Sequence, residues 1–310
     1  MKIAFIVDPL DQLKAYKDTS VFIMREAVRR GHQIFTFEAR HMAWTGGAVV
    51  ARVCRVALLE DNHAWYRIEA ESEHVLTDFD CVFMRKDPPF DMEYLYATLL
   101  LELAEQQGAK IINRPRALRD YNEKLAIARF PAFTVPTLVT CDLLRLNAFI
   151  EEYQDTILKK LDGMGGTSIF RVRSDDPNRN ALLEVQTRLG GETVMIQQYI
   201  PAIAQGDKRI LIIDGKPAPY ALARIPKAGE TRGNLAAGGR GVAQPLSTRD
   251  RDIVEQIGSQ LVNDGLLLVG IDVIGDYLTE VNVTSPTCMV EIFDQTGFNS
   301  AAMMLDAIEA

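Results

Sequence analysis

Three oxygen-bearing side chains near residue 280 have a spacing that could bind a hard metal ion. Glu280 and Asn282 lie two residues apart, so in a strand they project from the same face. A three-residue turn at 275–277 would place Asp272 opposite Glu280 on that face. Two carboxylates and a carboxamide favour Mg²⁺ over Zn²⁺ and leave positions free for phosphate oxygens. The hairpin therefore predicts a Mg-ATP site, and a solvated polar hairpin remains the alternative.

A glycine-rich segment between two predicted strands, residues 162–168, is a candidate phosphate-binding loop. Its glycines are Gly163, Gly165 and Gly166. Glycine lets successive backbone N–H groups converge on an anion, although the segment lacks the motif and helix of a P-loop. Lys159 on the preceding strand would supply a fixed positive charge, with Lys124 as a second candidate. The alternatives are a loose hairpin and, for Lys124, a solvated helix lysine.

A second glycine-rich segment, residues 225–241, is too long for an ordinary connection and contains five glycines. Apolar Leu235 would give it something to pack on when closed. We interpret it as a lid over a reactive intermediate, with simple disorder as the alternative. The residues that we assign to the lid function are Arg232, Gly238, Gly239 and Arg240.

Two further sets of charged residues could bind anionic substrates. Arg209 and Arg224, on or beside adjacent predicted strands, could hold carboxylates through bidentate hydrogen bonds. Their alternative is surface ion pairing. Arg85 and Asp87 lie in a proline-containing turn at the carboxyl end of a strand, where open α/β sheets bind ligands. An ordinary crossover loop is the alternative there.

The composition is that of an ordinary intracellular enzyme. The chain has 310 residues, 47% of them hydrophobic, and a net charge of -8, which argues against nucleic acid as a general partner. Its four cysteines are scattered without a C-x-x-C, which favours reduced thiols. Met1 leads directly into an apolar strand, and the apolar stretches are too short to cross a bilayer. We therefore expect no signal peptide, no membrane partner and a cytoplasmic location.

The periodicity predicts two units. A βαβ opening, with strands at 3–7 and 32–37 around a helix at 18–31, favours a parallel sheet. A G-x-G-x-x-G motif does not follow the first strand, so a dinucleotide is not expected there. Further predicted elements of the first unit are strands 80–84 and 110–112 and helix 94–107. Those of the second are strands 134–140, 156–159, 169–172, 195–200, 209–213 and 219–225, and helices 143–152 and 248–263.

These motifs occur in the order found in bacterial-type glutathione synthetases of the ATP-grasp superfamily, which the chain closely resembles over nearly its full length. The matching stretches are residues 84–91, 113–115, 122–124, 161–166, 206–209, 223–226, 229–241 and 279–288. The long glycine loop and the Arg-Lys-Asp-Pro-Pro-Phe-Asp stretch are the most specific of them. The chain departs from the family pattern at Lys160, where proline is expected, and over residues 291–299.

The resemblance implies an α/β and α+β fold: a Rossmann-like pre-ATP-grasp domain followed by a two-subdomain ATP-grasp domain. The first domain would span residues 1–121 and the second 122–310. Within the second, residues 122–200 would carry the glycine-rich loop, and residues 201–310 the lid and the Mg²⁺ (or Mn²⁺) site.

The resemblance also implies roles for individual residues. Lys124 and Lys159 match phosphate-contacting lysines, and Gln198, Tyr199, Ile200 and Asp207 match residues that bind adenine and ribose. Asp272, Glu280 and Asn282 match metal ligands. Arg85, Asp87, Arg209, Arg224, Asn282, Ser285 and Pro286 match the side that binds peptide and glycine.

The reaction implied by the resemblance is ATP-dependent ligation of γ-glutamylcysteine and glycine through an acyl phosphate. Arg224 would stabilise the tetrahedral oxyanion, and the lid would exclude water. Family members suggest a homotetramer. The alternatives are another ATP-grasp ligase, of D-alanine or glutamate, and a non-catalytic ATP-binding protein of the same fold.

Overall fold

Three β-sheets, each formed by a separate stretch of the chain, organise the structure. The computed structural model describes residues 1–86, 89–230, 232–233, 235 and 238–310. Among these residues, no helix is long and apolar enough to span a membrane.

The first sheet has parallel strands at its centre and an antiparallel extension at one side. Its strands are β1 (Lys2–Ile6), β2 (Gln33–Phe37), β3 (Met42–Thr45), β4 (Ala48–Leu58), β5 (Tyr66–Val75), β6 (Cys81–Met84) and β7 (Ile111–Ile112). The order is β3-β4-β2-β1-β6-β7, and β5 also pairs with β4. The strands β2, β1, β6 and β7 run parallel, as predicted, whereas β3, β4 and β5 form an antiparallel meander that was not predicted.

Three helices belong to this part of the chain: α1 (Thr19–Arg29), α2 (Met92–Gln106) and α3 (Pro115–Asp120). The first begins at a predicted N-cap, and the second begins at Met92, two residues before the predicted start at 94. Asp18 accepts a hydrogen bond from the Val21 amide and Asp91 accepts one from the Tyr94 amide, which satisfies a donor in each first turn.

The second sheet carries the glycine-rich loop between two of its strands. It consists of β8 (Thr137–Thr140), β9 (Asp155–Lys160), β10 (Ile169–Arg173) and β11 (Val194–Gln198), all antiparallel in the order β10-β9-β11-β8. Helices α4 (Leu143–Tyr153) and α5 (Arg179–Gln186) pack on it. Lys160 continues β9 as the partner of Val194, and its Nζ lies 2.9 Å from the Glu192 carboxylate. The lysine that stands where the family pattern has proline is therefore held in an ion pair.

The third sheet contains most of the predicted site residues. Its strands are β12 (Asp207–Ile213), β13 (Lys216–Ile225), β14 (Arg240–Pro245), β15 (Leu268–Ile274) and β16 (Tyr277–Asn282), in the antiparallel order β14-β13-β12-β15-β16. Helix α6 (Thr248–Asn263) has the predicted bounds, because Ser247 and Asp250 form a capping box at its start.

Two C-terminal helices, α7 (Met289–Thr296) and α8 (Ser300–Glu309), account for the segment 291–299 that departs from the family pattern. Gly297, with φ of 73°, ends α7, and Asn299 caps α8 by accepting a hydrogen bond from the Ala302 amide. The atypical segment is therefore an ordinary helix–turn–helix connection.

Asn113 joins the first sheet to the third. Its amide group donates to the carbonyls of Leu268 and Val283 at 2.7 and 2.8 Å, and accepts from the amides of Leu267 and Leu268 at 2.8 and 3.0 Å. Each donor and acceptor of this buried side chain therefore has a partner, which fixes β15 relative to the end of β7.

Candidate active site

The hairpin of β15 and β16 brings the three predicted metal ligands together, but by a different turn from the predicted one. Asp272 pairs with Glu280, as predicted. The predicted three-residue turn is wrong, because Ile274 pairs with Tyr277 across a two-residue turn. A bulge at Thr279 then restores the pairing, and the Thr279 hydroxyl donates to the Asp272 carbonyl at 3.1 Å.

Asp272 is the centre of a buried ionic network. Arg209 donates to both of its carboxylate oxygens, at 2.5 and 3.0 Å, and Arg224 donates to Oδ2 at 2.9 Å. Arg224 also donates to Asp207 Oδ2 at 2.5 Å. These contacts follow from the strand order, since Arg209 faces Asp272 across β12 and β15, and Asp207 faces Arg224 across β12 and β13. Both arginines are buried, so the surface-pairing alternative is wrong.

The two aspartates of the network have opposite pKa shifts. Burial would raise the pKa of Asp272, but Arg209 and Arg224 outweigh burial and hold that pKa well below its usual range. For Asp207, burial dominates over Arg224 and raises the pKa to about 7. Oδ1 of Asp207 has no hydrogen-bond partner among the described residues. The two arginines therefore compensate the negative charge of Asp272 well and that of Asp207 less fully.

Two buried lysines share a second carboxylate. Lys124 Nζ and Lys159 Nζ lie 3.8 and 3.9 Å from Glu280 Oε1. Lys124 also contacts the Glu123 carboxylate and donates to the Gly163 carbonyl, which ties it to the glycine-rich loop. The alternative of a solvated Lys124 is therefore wrong.

The lysines differ in how well their charge is compensated. Burial lowers the pKa of Lys159, and the attraction of Glu280 offsets this only in part. For Lys124, the attraction of Glu280 and Glu123 together outweighs burial, and its pKa is raised. The carboxylate of Glu123, which was not predicted as a site residue, accounts for this difference between the pKa values of the two lysines. Its own pKa is raised to about 7 by burial and by Glu280. Its position beside Lys124 in the Asn-Glu-Lys stretch was the available signal.

Two adjoining cavities meet at Glu280. The first, of about 80 Å³, lies between the second and third sheets and is lined by Lys159, Gln198, Tyr199, Ile200, Asp207, Thr279 and Glu280, among others. The second, of about 400 Å³, is lined by Lys124, Gly163, Gly165, Gly166, Arg209, Arg224, Glu280, Asn282 and Ser285, together with Glu123, Leu235, Thr284, Thr287 and Cys288. Fifteen of the predicted site residues thus line one of these two cavities, which share Glu280.

A cleft of about 430 Å³ lies elsewhere, beside Lys110, Arg114 and Asp214. It is lined by none of the lysine and arginine residues described above, so it is not the candidate site.

Arg85 makes two hydrogen bonds to the segment that follows β16. Its Nη2 donates to the Pro286 carbonyl at 3.0 Å, and the Ser285 hydroxyl donates to the Arg85 carbonyl at 3.2 Å. The segment that follows β16 is thereby attached to the carboxyl end of β6. Asp87, predicted to bind substrate, lies outside the described residues.

The segment predicted to be a lid packs over the cavities. Arg232 donates to the Gly166 carbonyl at 3.2 Å and to Glu230 at 2.6 Å, so it connects this segment to the glycine-rich loop. Gly233 lies so close to the Arg224 carbonyl that a Cβ there would be 2.3 Å from the oxygen. The described part of the segment therefore contacts residues of the site. Arg240 pairs with Ile225 at the start of β14, so the connection between β13 and β14 is shorter than the predicted segment 225–241.

The chain matches two family models. The model described as "Prokaryotic glutathione synthetase, N-terminal domain" matches residues 1–119, and "Prokaryotic glutathione synthetase, ATP-grasp domain" matches residues 123–297. Glutathione synthetase of Nitrosomonas europaea is 56% identical over 312 residues, covering 100% of this chain and 98% of that protein. The corresponding protein of Ralstonia nicotianae is 57% identical over 309 residues, covering 100% and 95%.

Solved structures show the same fold at low identity. The ATP-grasp ligase PsnB, in complex with precursor peptide PsnA2 and AMPPNP, has a TM-score of 0.64 and 18% identity, covering 99% of this chain and 97% of that one. D-cycloserine synthetase DcsG has a TM-score of 0.67 and 14% identity, covering 99% and 100%. The fold is therefore an N-terminal domain followed by an ATP-grasp domain.

Nearby carboxylates compensate the charges of Lys124 and Lys159 unequally, so replacing each lysine should have opposite effects on the stability of the protein. Lys159→Met should raise the melting temperature of the ligand-free protein by about 2 °C, since it removes a buried, under-compensated charge. Lys124→Met should destabilise the protein by about 2 kcal/mol, because Glu123 and Glu280 lose their shared cation.

Thermal and denaturant unfolding of the two variants would measure both changes. A lysine with a lowered folded-state pKa makes stability rise with pH, because the unfolded state binds more protons. The advantage of Lys159→Met should therefore shrink as the pH is raised towards 10. Equal destabilisation by both substitutions would contradict this electrostatic difference.

Proposed function

The chain belongs to the prokaryotic glutathione synthetase family and is an ATP-dependent ligase that forms glutathione, and from this premise we propose how its residues divide the work. The observation that carries the proposal is the position of Glu280. It lies between a cavity lined by Lys159, Gln198 and Asp207 and a cavity lined by two buried arginines. A carboxylate held by the arginines would lie beside the phosphate end of a bound nucleotide.

The first cavity is proposed to hold the nucleoside. Gln198, Tyr199 and Ile200 would contact adenine. Asp207 Oδ1, which has no hydrogen-bond partner in the part of the chain that the structure describes, is suited to accept a hydrogen bond from a ribose hydroxyl. Lys159 and Lys124 would bind the phosphates, covered by Gly163, Gly165 and Gly166. A triphosphate would provide Lys159 with a second anionic partner besides Glu280.

The second cavity is proposed to hold γ-glutamylcysteine and glycine. An oxygen of the cysteinyl carboxylate attacks the γ-phosphorus, the bond to the β–γ bridging oxygen breaks, and ADP leaves. The neutral amine of glycine then attacks the acyl carbon, the carbon–oxygen bond to phosphate breaks, and the proton lost from the nitrogen passes to the departing phosphate. Arg209 would position the carboxylate, and Arg224 would stabilise the oxyanion of the tetrahedral intermediate. No nucleophilic side chain is needed for these steps.

The oxygen donors near Glu280 fit a divalent cation, but Asp272 differs from the other two in its position and hydrogen-bond partners. Glu280 and Asn282 line the second cavity, whereas Asp272 is buried behind them with both oxygens bonded to arginine. We propose that Glu280 and Asn282 are the principal ligands for Mg²⁺ or Mn²⁺. Asp272 would join them through its remaining lone pairs. The bound ion would neutralise the charge of the transferring phosphoryl group.

The lid is proposed to keep water from the acyl phosphate. Arg232 already bonds to the glycine-rich loop, and Leu235 contributes an apolar side chain to the wall of the second cavity. Exclusion of water would favour attack by glycine over hydrolysis. Gly238, Gly239 and Arg240 would form the returning arm of this lid.

The alternative ligases are less well supported. The glutathione synthetases cited above are more than half identical over the full chain, whereas the ligases of other substrates share only the fold. The four cysteines are free thiols, which is consistent with the proposed cytoplasmic location.

The proposed reaction predicts glycine-dependent release of phosphate. With ATP, Mg²⁺ and γ-glutamylcysteine, phosphate release should be slow without glycine and should match tripeptide formation mole for mole when glycine is added. A coupled phosphate assay with chromatographic detection of glutathione would measure both. D-alanine serves as the competing substrate, and faster product formation with D-alanine than with these two substrates would contradict the assignment.

The metal proposal predicts that Glu280→Gln abolishes turnover and also weakens Mn²⁺ binding in the presence of a non-hydrolysable ATP analogue. Electron paramagnetic resonance would report the bound Mn²⁺ directly. Glu192→Gln is the matched control, since Glu192 pairs with Lys160 outside both cavities. Near-normal activity and Mn²⁺ binding in Glu280→Gln would refute the ligand assignment.

A further inference from the structure

The guanidinium group of Arg171 on β10 stacks on the ring of Tyr199, the residue that follows β11. Its central carbon lies 3.7 Å from the centroid of that ring. The same group donates hydrogen bonds to both carboxylate oxygens of Asp155, at 2.8 and 2.5 Å. A guanidinium can make both contacts because its donors lie along the edge of a planar group whose faces can stack on aromatic rings. Arg171 therefore connects Tyr199 to β9.

The pairing of β9 and β10 places Arg171 on the face of the second sheet that borders the first of the two cavities. Arg171 pairs with Ile157, and Ile169 pairs with Lys159. Paired residues share a face of an antiparallel sheet, and so do residues two apart on one strand. Ile157, Lys159 and Ile169 all line the first cavity, as does Tyr199. Arg171 is therefore the next residue beyond Ile169 on this face, and it contacts the cavity wall at Tyr199.

Tyr199 is held at two points, at the start of the connection between the second and third sheets. Its backbone N–H donates to the Asp155 carbonyl at 2.9 Å, while Arg171 covers its ring. This connection spans residues 199–206, and β12 follows it. Tyr199 at its start and Asp207 just after its end both line the first cavity. The position of the Tyr199 ring therefore affects the shape of the space between the two sheets.

We infer that Arg171 is a positioning residue for the nucleotide, acting through the ring of Tyr199. The inference rests on the proposed function, in which residues 198–200 contact adenine. Arg171 is bonded to Asp155 through Nε and Nη2, so its charge already has an anionic partner inside the protein. A partly exposed ion pair contributes little by itself, so the stack on Tyr199 is the contact that gives Arg171 this role. Fixing the ring before the nucleotide arrives lowers the entropy cost of binding.

The inference predicts that Arg171→Ala raises the KM and the Kd for ATP about tenfold, the size expected for loss of one cation–π contact that is partly shielded from water. The kcat at saturating ATP and the KM for glycine should stay close to the wild-type values. A general disturbance of the site would instead lower kcat and weaken glycine binding as well. Steady-state kinetics with detection of glutathione, and calorimetric titration with ATP, would measure these constants.

Arg173→Ala is the matched control, because Arg173 lies two residues further along the same strand. Its guanidinium lies 3.9 Å from the same Asp155 carboxylate, and 56% of its side chain is exposed. This substitution therefore removes an equal charge beside Asp155 and leaves the stack of Arg171 on Tyr199 in place. The KM for ATP of this variant should match that of the wild-type protein.

A double-mutant cycle tests the route through Tyr199. Tyr199→Phe keeps a ring for the guanidinium and should stay close to wild type, whereas Tyr199→Leu should raise the KM for ATP at least as much as Arg171→Ala. The double variant should be no worse than Tyr199→Leu alone, since both substitutions remove one interaction. Thermal unfolding would show that each variant is folded.

Three results would overturn the inference: an unchanged KM for ATP in Arg171→Ala, a parallel loss of kcat and of glycine binding in that variant, or additive effects in the double variant. Glycine-dependent phosphate release by the wild-type protein tests the proposed reaction separately. Wild-type turnover combined with any of the three results would therefore count against the role of Arg171 alone.

Discussion

One buried carboxylate, that of Asp272, fixes both arginines of the site. Arg209 and Arg224 come from neighbouring strands, and each donates to Asp272 within 3.0 Å. Burying charges is expensive unless every charge is compensated, and removing one member of such a network leaves the others unpaired. The strand order β13-β12-β15 brings these groups together, so the geometry of the proposed substrate side depends on the pairing of the third sheet.

On the proposed nucleotide side of the site, the under-compensated group is a cation, Lys159. Lys124 and Lys159 share Glu280, and only Lys124 has a second carboxylate beside it. The site therefore contains an under-compensated cation before any ligand arrives, although the chain as a whole is acidic. A polyanion would relieve that imbalance at Lys159, which gives a physical reason why a triphosphate should bind where the two cavities meet.

The sequence predicted those elements whose ends are marked by clear local signals, such as capping residues. Helix α6 has a capping box and was predicted with its observed bounds. Helix α7 was not predicted, and its N-cap residue Cys288 has φ of 88° and makes no side-chain capping hydrogen bond. Strand β5 is exposed over most of its length, so it lacks the alternation that marks a strand. The site residues could be identified as candidates, but the burial of the arginines depends on non-local strand pairing. Residue types and spacing alone could not reveal it.

We propose that the ionic network holds Arg224 in position to stabilise the tetrahedral intermediate. Steady-state kinetics and nucleotide binding of Arg224→Ala, measured below the melting temperature of the variant, would test this role. We predict that kcat falls on the order of 10²–10³-fold, as for loss of one oxyanion donor, while the Kd for ATP stays close to the wild-type value. An unchanged kcat with a raised Kd for ATP would contradict it.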